Sequence, residues 1–301
     1  MRTHTALVSS SEVQANLGDP RWVLLDCRFD LLNPDAGQAA YLEGHIPGAI
    51  YAHLGRDLSA PSTGTNGRHP LPPPEILGAV FSRWGIGVGS QVVSYDEDGG
   101  GFAARAWWSL RSLGHEAVAV LDGGLASWLE AGLPLRAGEE SRPPAEFHPR
   151  PRSSMTIDAA EILERLGDPT LVLIDARAAE RYRGDEEPID PVAGHIPGAI
   201  NHPWQQNLDE HGRLLAPADL RARYEAMIAG AQPQDVVTYC GSGVTSCHNL
   251  LAMAHAGISG ARLYAGAWSE WCSNADRPIA VGAETRATPG AGGSGMDARL
   301  R

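Results

Sequence analysis

The sequence has little of the positive charge that nucleic-acid and membrane-surface proteins need. Its 36 aspartate and glutamate residues outnumber its 24 lysine and arginine residues, so the formal net charge at pH 7 is −12. Phosphate polymers and anionic lipids attract proteins mainly through clustered cations. We therefore expect no nucleic-acid partner and no membrane partner.

Long apolar runs are also missing. No stretch reaches the roughly 18 uninterrupted apolar residues of a membrane-spanning helix. The N-terminal residues lack the basic segment and apolar core of a secretory signal. Together these absences predict a cytoplasmic protein.

Cysteine is scarce, and the few cysteines are unevenly spaced. They form no C-x-x-C pair, which argues against a disulfide framework and favours reduced thiols. A metal site built from Cys240, Cys247 and His248 would need a fourth ligand and a shorter spacing. We therefore expect neither a metal nor a cofactor. The four cysteines are Cys27, Cys240, Cys247 and Cys272.

The chain does contain an internal repeat. The heptapeptide GHIPGAI occupies residues 44–50 and recurs unchanged at residues 194–200. Three further pairs follow in the same order: VLLDCR with VLIDAR, VVSYD with VVTYC, and LDGGLASW with LYAGAWSEW. Ordered matches of this kind indicate duplication of one domain. The length of 301 residues also fits two average domains.

The repeat and the local composition together predict the domain bounds. We expect a first domain at residues 1–140 and a second at residues 155–282. The intervening segment 141–154 is rich in proline and charge, which is typical of a linker. Residues 283–301 are small, polar and glycine-rich, so we expect a disordered tail there.

Each half alternates short apolar runs with stretches of helical period. Runs rich in Val, Leu and Ile, such as residues 22–26 and 91–95, are typical of strands buried on both faces. Alternation of this kind predicts an α/β fold with two tandem domains, each a mostly parallel sheet flanked by helices. Such sheets bind ligands beyond the carboxyl ends of their strands, where Asp96 and Cys240 fall.

The loop at residues 240–246 carries the strongest chemical signal. It joins a predicted strand to a predicted helix, and Gly241 and Gly243 allow successive N–H groups to point inward as an anion-binding nest. The positive end of the helix would also stabilise a thiolate. Cysteines at helix N-termini can have pKa values of about 3.5–7.5, so Cys240 is the candidate nucleophile. The alternative is a buried core cysteine, which is the interpretation we give the other three.

Several motifs together resemble the tandem-domain rhodanese family of sulfurtransferases. They are GHIPGAI in both halves, DAR at residues 175–177, RYRG at 181–184, CGSGVTS at 240–246 and GAWSEW at 266–271. The resemblance implies a catalytic cysteine in the second domain and a degenerate first domain, where Asp96 stands in place of Cys240. It also implies that Cys240 takes sulfur from a small-molecule donor as a persulfide and passes it to a thiol, such as that of thioredoxin, or to cyanide.

The resemblance also bears on the sulfur donor. Relatives that favour thiosulfate carry cationic side chains in the cysteine loop, whereas relatives that favour 3-mercaptopyruvate have a neutral loop. This loop has no lysine or arginine, which favours 3-mercaptopyruvate, with thiosulfate as the alternative donor. The loop residues expected to bind substrate are Gly241, Gly243, Val244, Thr245 and Ser246.

Four further site residues follow from the resemblance. Arg181 matches the family's substrate-binding arginine; the alternative is a surface ion pair with Glu186 or Glu187. Ser242 matches a serine that some relatives pair with a histidine and an aspartate for proton transfer.

We expect His45 and Asp35 to fill the histidine and aspartate positions, which implies a site between the domains. The alternative is that His45 shapes a turn, because His195 occupies the same place in the second copy. One departure stands out: where some relatives have a second arginine, residues 184–194 are acidic.

Two other functions compete with sulfur transfer. Phosphatases that share the rhodanese fold use a C-x5-R loop, but Ser246 stands at the arginine position, so phosphate would lack its main partner. A non-catalytic binding module fits the first domain, where Asp96 replaces the nucleophile. The second domain keeps a complete loop, which favours an enzyme.

Overall fold

The computed structural model describes residues 3–97 and 99–283. Within them the chain forms two α/β units that repeat the same order of five strands, with helices between the strands. The tail expected at residues 283–301 lies outside the described residues, apart from Ala283. In the described part of the chain, no helix is long and apolar enough to span a membrane.

The first unit begins near Leu7 and ends near Glu130. Its strands are β1 (Leu7–Val8), β2 (Trp22–Asp26), β3 (Ala49–Tyr51), β4 (Gln91–Tyr95) and β5 (Val118–Leu121). Its helices are α1 (Ser10–Ala15), α2 (Ala36–Glu43), α3 (Leu54–Asp57), α4 (Pro74–Arg83), α5 (Ala103–Ser112) and α6 (Gly124–Glu130).

The second unit repeats this pattern with shorter strands. Its strands are β6 (Thr156–Ile157), β7 (Val172–Asp175), β8 (Ile200–Asn201), β9 (Val236–Tyr239) and β10 (Arg262–Tyr264). Its helices are α7 (Ala159–Glu164), α8 (Ala179–Arg183), α9 (Pro217–Ile228), α10 (Ser246–His255) and α11 (Ala267–Trp271). Three short 3-10 helices occupy Ser153–Met155, Trp204–Asn207 and Pro233–Asp235 in the described residues.

The two sheets have the same topology. Their strand orders are β1-β5-β4-β2-β3 and β6-β10-β9-β7-β8, and every described pairing within them is parallel. The central strands β4 and β9 are buried along their whole length, as expected for sheets covered by helices on both faces. The predicted fold class, two tandem parallel-sheet domains, is therefore confirmed.

One hydrophobic core runs through both units. It joins Val92 and Trp107 of the first unit to Leu251 of the second, and α5 packs directly against α10. The outer face of each sheet has a smaller core of its own, centred on Trp128 in the first unit and Trp268 in the second. Since α10 begins at the end of the cysteine loop, this shared core brings the loop against the first unit.

The segment predicted as a linker, residues 141–154, runs along the first unit. The N–H of Ala145 donates to the carbonyl of Ser82, and Arg150 donates to the carbonyl of Leu113. Phe147 is buried in edge-to-face contact with Phe81. The segment is therefore packed rather than free, and its only described regular turn is the 3-10 helix at its end.

Candidate active site

Cys240 lies at the end of β9 and directly before the loop that leads into α10. Its side chain is buried, with 2% of the residue exposed. The loop needs glycine at position 243, where φ is +72° and a Cβ atom would lie 2.3 Å from the carbonyl oxygen of Ala265. The loop therefore closes tightly around the sulfur.

Hydrogen bonds around Cys240 favour its thiolate. The hydroxyl of Ser246 donates to Sγ over 3.5 Å. Burial alone would raise the pKa of Cys240, but donation from the hydroxyls of Thr245 and Ser246 and from the N–H groups of Ser242 and Ser246 outweighs it and lowers the pKa. The ten-residue helix α10 adds the positive end of its dipole.

The other three cysteines have the opposite environment. Burial raises the pKa of Cys247 to about 12 and that of Cys272 to about 11, and it raises the pKa of Cys27 well above the ordinary value. Cys247 donates to the carbonyl of Gly243 and supports the loop from behind. Among the four thiols, Cys240 is thus the one whose surroundings favour nucleophilic attack.

The first unit fills the equivalent nest with its own carboxylate. Asp96 follows β4 as Cys240 follows β9. Its carboxylate accepts from the N–H groups of Gly100 at 2.9 Å, Phe102 at 2.8 Å and Ala103 at 3.0 Å. Because Asp96 satisfies these donors, the described residues of the first loop offer neither a sulfur nucleophile nor a free anion nest.

The histidine that faces Ser242 is His69. Its Nδ1 lies 2.9 Å from the Ser242 hydroxyl, so the pair joins the first unit to the cysteine loop. Burial, with the nearby Arg105 and Arg68 guanidinium groups, lowers the pKa of His69 to about 4. The ring is therefore neutral at physiological pH and can accept the serine proton on Nδ1.

The expected pairing of Ser242 with His45 is therefore wrong. Nδ1 of His45 lies 2.8 Å from the carbonyl of Tyr41, the ring stacks on Tyr41, and Nε2 lies 3.8 Å from Glu140. His195 repeats this arrangement on Tyr182, with Nδ1 2.7 Å from the carbonyl. The histidine of the GHIPGA motif thus has a structural position in both copies.

Asp35 also lies away from the serine–histidine pair. It is exposed at the start of α2, and its side chain makes no capping hydrogen bond to that helix. Among the described residues, the hydrogen bonds of Ser242 and His69 do not include it. Asp35 was expected in the site because it lies shortly before His45 in the sequence. Since His45 does not face Ser242, that spacing gives no reason to place Asp35 there.

His69 reaches the loop because its segment docks on the second unit. The N–H of Arg68 donates to the Ser269 hydroxyl at 3.0 Å. At the preceding residue, Gly67, φ is +91°, and a Cβ atom there would lie 2.8 Å from the carbonyl oxygen of Gly266. Glycine is therefore required for this close approach.

Arg105 ties the same segment to the loop. Its guanidinium donates to the carbonyl of Gly243 at 2.8 Å, to that of His69 at 3.0 Å and to that of Leu58 at 3.3 Å. The residue is fully buried and has no carboxylate partner among the described residues. Its bonds fix the relative positions of His69 and the residue that follows Ser242.

Arg181 lies beside the loop and is held by acidic residues. Its Nε lies 3.1 Å from both carboxylate oxygens of Glu187, and its Nη2 donates to Glu187 at 2.7 Å and to Asp190 at 3.0 Å. The predicted alternative, an ion pair with Glu187, therefore forms. It is not a surface pair, because the carboxylate is nearly buried and the guanidinium approaches Gly241.

Comparison with known proteins agrees with this geometry. The model of the rhodanese-like domain matches twice, over residues 9–131 and 158–274, which together make up most of the chain. The chain belongs to the rhodanese family. Its second rhodanese domain carries Cys240, and its first carries Asp96.

The relatives include proteins named for two different sulfur donors. A probable 3-mercaptopyruvate sulfurtransferase of Pseudomonas aeruginosa is 51% identical over 278 residues, covering 92% of this chain and 98% of that one. SseB of Mycobacterium tuberculosis, provisionally named as a thiosulfate sulfurtransferase, is 39% identical over 287 residues, covering 92% and 96%. The crystal structure of SseA from Escherichia coli, described as a 3-mercaptopyruvate sulfotransferase, has a TM-score of 0.76 at 32% identity, covering 88% and 99%.

Two residues of this rhodanese site were missed by the sequence reasoning. Arg68 and His69 lie in the loop between α3 and α4, at residues 58–73, and no repeat or motif marks them. A signal was present in the length of that loop, because connections longer than about 12 residues without regular structure are commonly functional. The two adjacent basic residues within it would have been the candidates.

Proposed function

We propose that this rhodanese moves sulfane sulfur from 3-mercaptopyruvate through a persulfide on Cys240. The single observation that carries the proposal is the environment of Cys240, where donors from the loop lower the pKa of a buried thiol. The relatives named as 3-mercaptopyruvate sulfurtransferases, at 34–51% identity over most of the chain, support the choice of donor.

The reaction divides into two displacements at sulfur. The Cys240 thiolate attacks the donor sulfur, a new S–S bond forms, and the C–S bond of 3-mercaptopyruvate breaks. The electron pair of that bond passes to the departing carbon as the enolate of pyruvate, which then takes up a proton. In the second step an acceptor thiolate attacks the outer sulfur and releases Cys240, or cyanide does so and leaves as thiocyanate.

We assign the proton transfers to Ser242 and His69. The neutral His69 ring can receive the proton of the donor thiol through the serine hydroxyl and return it to the enolate carbon. Arg181 binds the donor carboxylate through its remaining N–H group, since a planar guanidinium suits a carboxylate. The N–H groups of the loop residues Gly241, Gly243, Val244, Thr245 and Ser246 stabilise the thiolate and the persulfide.

Thiosulfate is the second candidate donor, and one observation favours it. The loop itself is neutral, but guanidinium groups of Arg68 and Arg181 approach Gly241 from outside the loop. The charge of the loop therefore does not by itself exclude a dianionic donor. The acceptor in the cell would be a thiol such as that of thioredoxin, and the compartment the cytoplasm, where Cys240 would stay reduced.

The deciding experiment is a side-by-side measurement of kcat/KM for 3-mercaptopyruvate and thiosulfate with cyanide as the common acceptor. We expect the larger value for 3-mercaptopyruvate. A larger value for thiosulfate would overturn the assignment of the donor and leave sulfur transfer itself standing. Failure of both donors to load Cys240 would overturn the proposed function.

A further inference from the structure

Two guanidinium groups from different domains meet above Gly241. Nη2 of Arg68 lies 2.9 Å from the position that a Cβ atom on Gly241 would occupy, and Nη2 and Nη1 of Arg181 lie 3.4 and 3.5 Å from it. Gly241 follows the nucleophile directly, so both groups stand at the mouth of the Cys240 loop. A side chain at position 241 would meet Arg68 first.

The acidic residues near the site hold these guanidinium groups in place. Nη1 of Arg68 donates to one oxygen of Asp190, while the other oxygen accepts from Nη2 of Arg181 at 3.0 Å. Glu187 takes the Nε and Nη2 donors of Arg181 and also lies 3.3 Å from Nη1 of Arg177. Asp190 and Glu187 therefore orient the guanidinium groups of Arg68 and Arg181, and their own charges are paired.

Several guanidinium donors stay unused after these bonds. Within the described part of the chain, Nε of Arg68 is buried without a hydrogen-bond partner. No described hydrogen bond involves Nη2 of Arg68 or Nη1 of Arg181, the atoms that approach Gly241. N–H donors of the Arg68 and Arg181 guanidinium groups thus converge beside Cys240. This arrangement suits an anion with two or more oxygens.

We infer that Arg68, from the non-catalytic domain, is the second arginine that binds the anionic group of the sulfur donor, together with Arg181. The inference rests on the proposed function. It names an anionic group of one shared chemistry, the carboxylate of 3-mercaptopyruvate or the sulfonate end of thiosulfate. Arg68 thereby supplies the contact that the sequence of residues 184–194 lacks, since that segment has no arginine.

The docking of the segment makes this contact dependent on both domains. Ser269 accepts the N–H of Arg68, and Gly67 packs on the backbone of Gly266. The same segment carries His69 to Ser242. One stretch of the first domain therefore supplies both the anion contact and the proton-transfer histidine.

The test is steady-state kinetics of Arg68→Gln and Arg68→Lys with each donor and cyanide as acceptor. Arg68→Gln should raise the KM of the donor by about 10-fold to 100-fold, as expected for the loss of a charged hydrogen bond, while kcat changes less than about 3-fold. Arg68→Lys should recover only part of this, because an ammonium does not reproduce the fork. Arg83→Gln is the matched control, because the Arg83 side chain is exposed and pairs with Asp57 of the same domain, and it should leave both constants unchanged.

A second variant keeps the charge of Arg68 and fills the space between its guanidinium and Gly241. Gly241→Ala places a methyl group against Nη2 of Arg68 and should raise the KM in the wild-type background, with little further effect when Arg68 is already Gln.

A KM within 2-fold of wild type in Arg68→Gln would overturn the inference, as would a loss confined to kcat. Because thiosulfate offers the same oxygens, failure of 3-mercaptopyruvate as donor would leave the test of Arg68 intact.

Discussion

The Ser242 hydroxyl lies 2.9 Å from Nδ1 of His69, and 173 residues of sequence separate the two. This bond crosses from the catalytic domain to the domain that has lost its own nucleophile. In the proposed mechanism the first domain therefore has a chemical role, because it brings a neutral imidazole to the Cys240 loop. Removing the first domain would remove His69 together with the Arg68 and Arg105 contacts.

Replacing His69 and His45 in turn by glutamine distinguishes a histidine that takes part in the reaction from one that stabilises the fold. His69→Gln should lower kcat for 3-mercaptopyruvate by about 10²-fold or more with little change in KM, because it removes the proton acceptor for Ser242. His45→Gln should leave kcat near wild type and lower the unfolding free energy by about 1–3 kcal/mol, since it removes a buried hydrogen bond and a ring stack. Kinetics and thermal unfolding of both variants check this, and a kcat loss confined to His45→Gln would restore the earlier pairing.

Sulfur loading should depend on Cys240 alone. After incubation with donor and removal of excess reagent, intact-mass spectrometry should show one added sulfur atom on the wild-type protein and none on Cys240→Ser. Cys272→Ser is the matched control and should load normally, because burial raises the pKa of that thiol to about 11. An adduct that persists in Cys240→Ser would assign the sulfur to another residue.

The hydroxyl of Ser246 should tune the reactivity of Cys240. Ser246→Ala removes a donor that lies 3.5 Å from Sγ and helps to lower the pKa of Cys240, so that pKa should rise in the variant. The rate of iodoacetamide alkylation as a function of pH measures it. Ser273→Ala, whose hydroxyl donates to the carbonyl of Glu270, should leave the profile unchanged. Identical profiles for Ser246→Ala and wild type would show that the backbone N–H groups are sufficient.

The sequence was sufficient wherever the signal was local. The buried runs predict β2 and β4 at the residues where they occur, and the glycine loop predicts the position of Cys240 between β9 and α10. The repeat predicts two copies of one fold because duplication preserves the order of elements. The strand and loop signals depend on neighbours within a few residues of one another, and the repeat is found by comparing the two halves of the chain.

The partners across the domains could not be found in this way. His45 attracted attention because it belongs to a motif, but the motif recurs as His195, and both rings are held by a tyrosine of their own domain. His69 belongs to no motif and acquires its role from the packing of Gly67 on Gly266 and of α5 on α10. Packing between distant segments has no local period, so residue patterns do not report it.

Arg105 should prove necessary for the alignment of the site. Arg105→Met keeps much of the side-chain volume but removes donation to three carbonyls, including those of Gly243 and His69. We expect a loss of about 2–4 kcal/mol in unfolding free energy and a lower kcat with both donors. Arg111→Met is the matched control on the same helix, since Arg111 is partly exposed and pairs with Glu116. Unchanged kcat in a folded Arg105→Met protein would contradict the alignment role.

Acid should destabilise the protein through its buried histidines. Burial lowers the pKa of His248 to about 4 from the ordinary value of 6.5, as it does for His69. Between pH 6.5 and pH 4 these two histidines therefore bind protons in the unfolded chain but stay neutral in the folded protein. The contribution of these histidines to the unfolding free energy is fully present above pH 6.5 and is lost as the pH falls towards 4.

For His248 the loss by pH 5 should be about 2 kcal/mol relative to pH 7.5. Urea unfolding at the two pH values measures it. His248→Gln should remove this share of the pH dependence, because glutamine takes up no proton in either state, whereas the exposed His148→Gln should leave the pH dependence as in wild type. An equal pH dependence in wild type and His248→Gln would mean that His248 is protonated in the folded protein without cost.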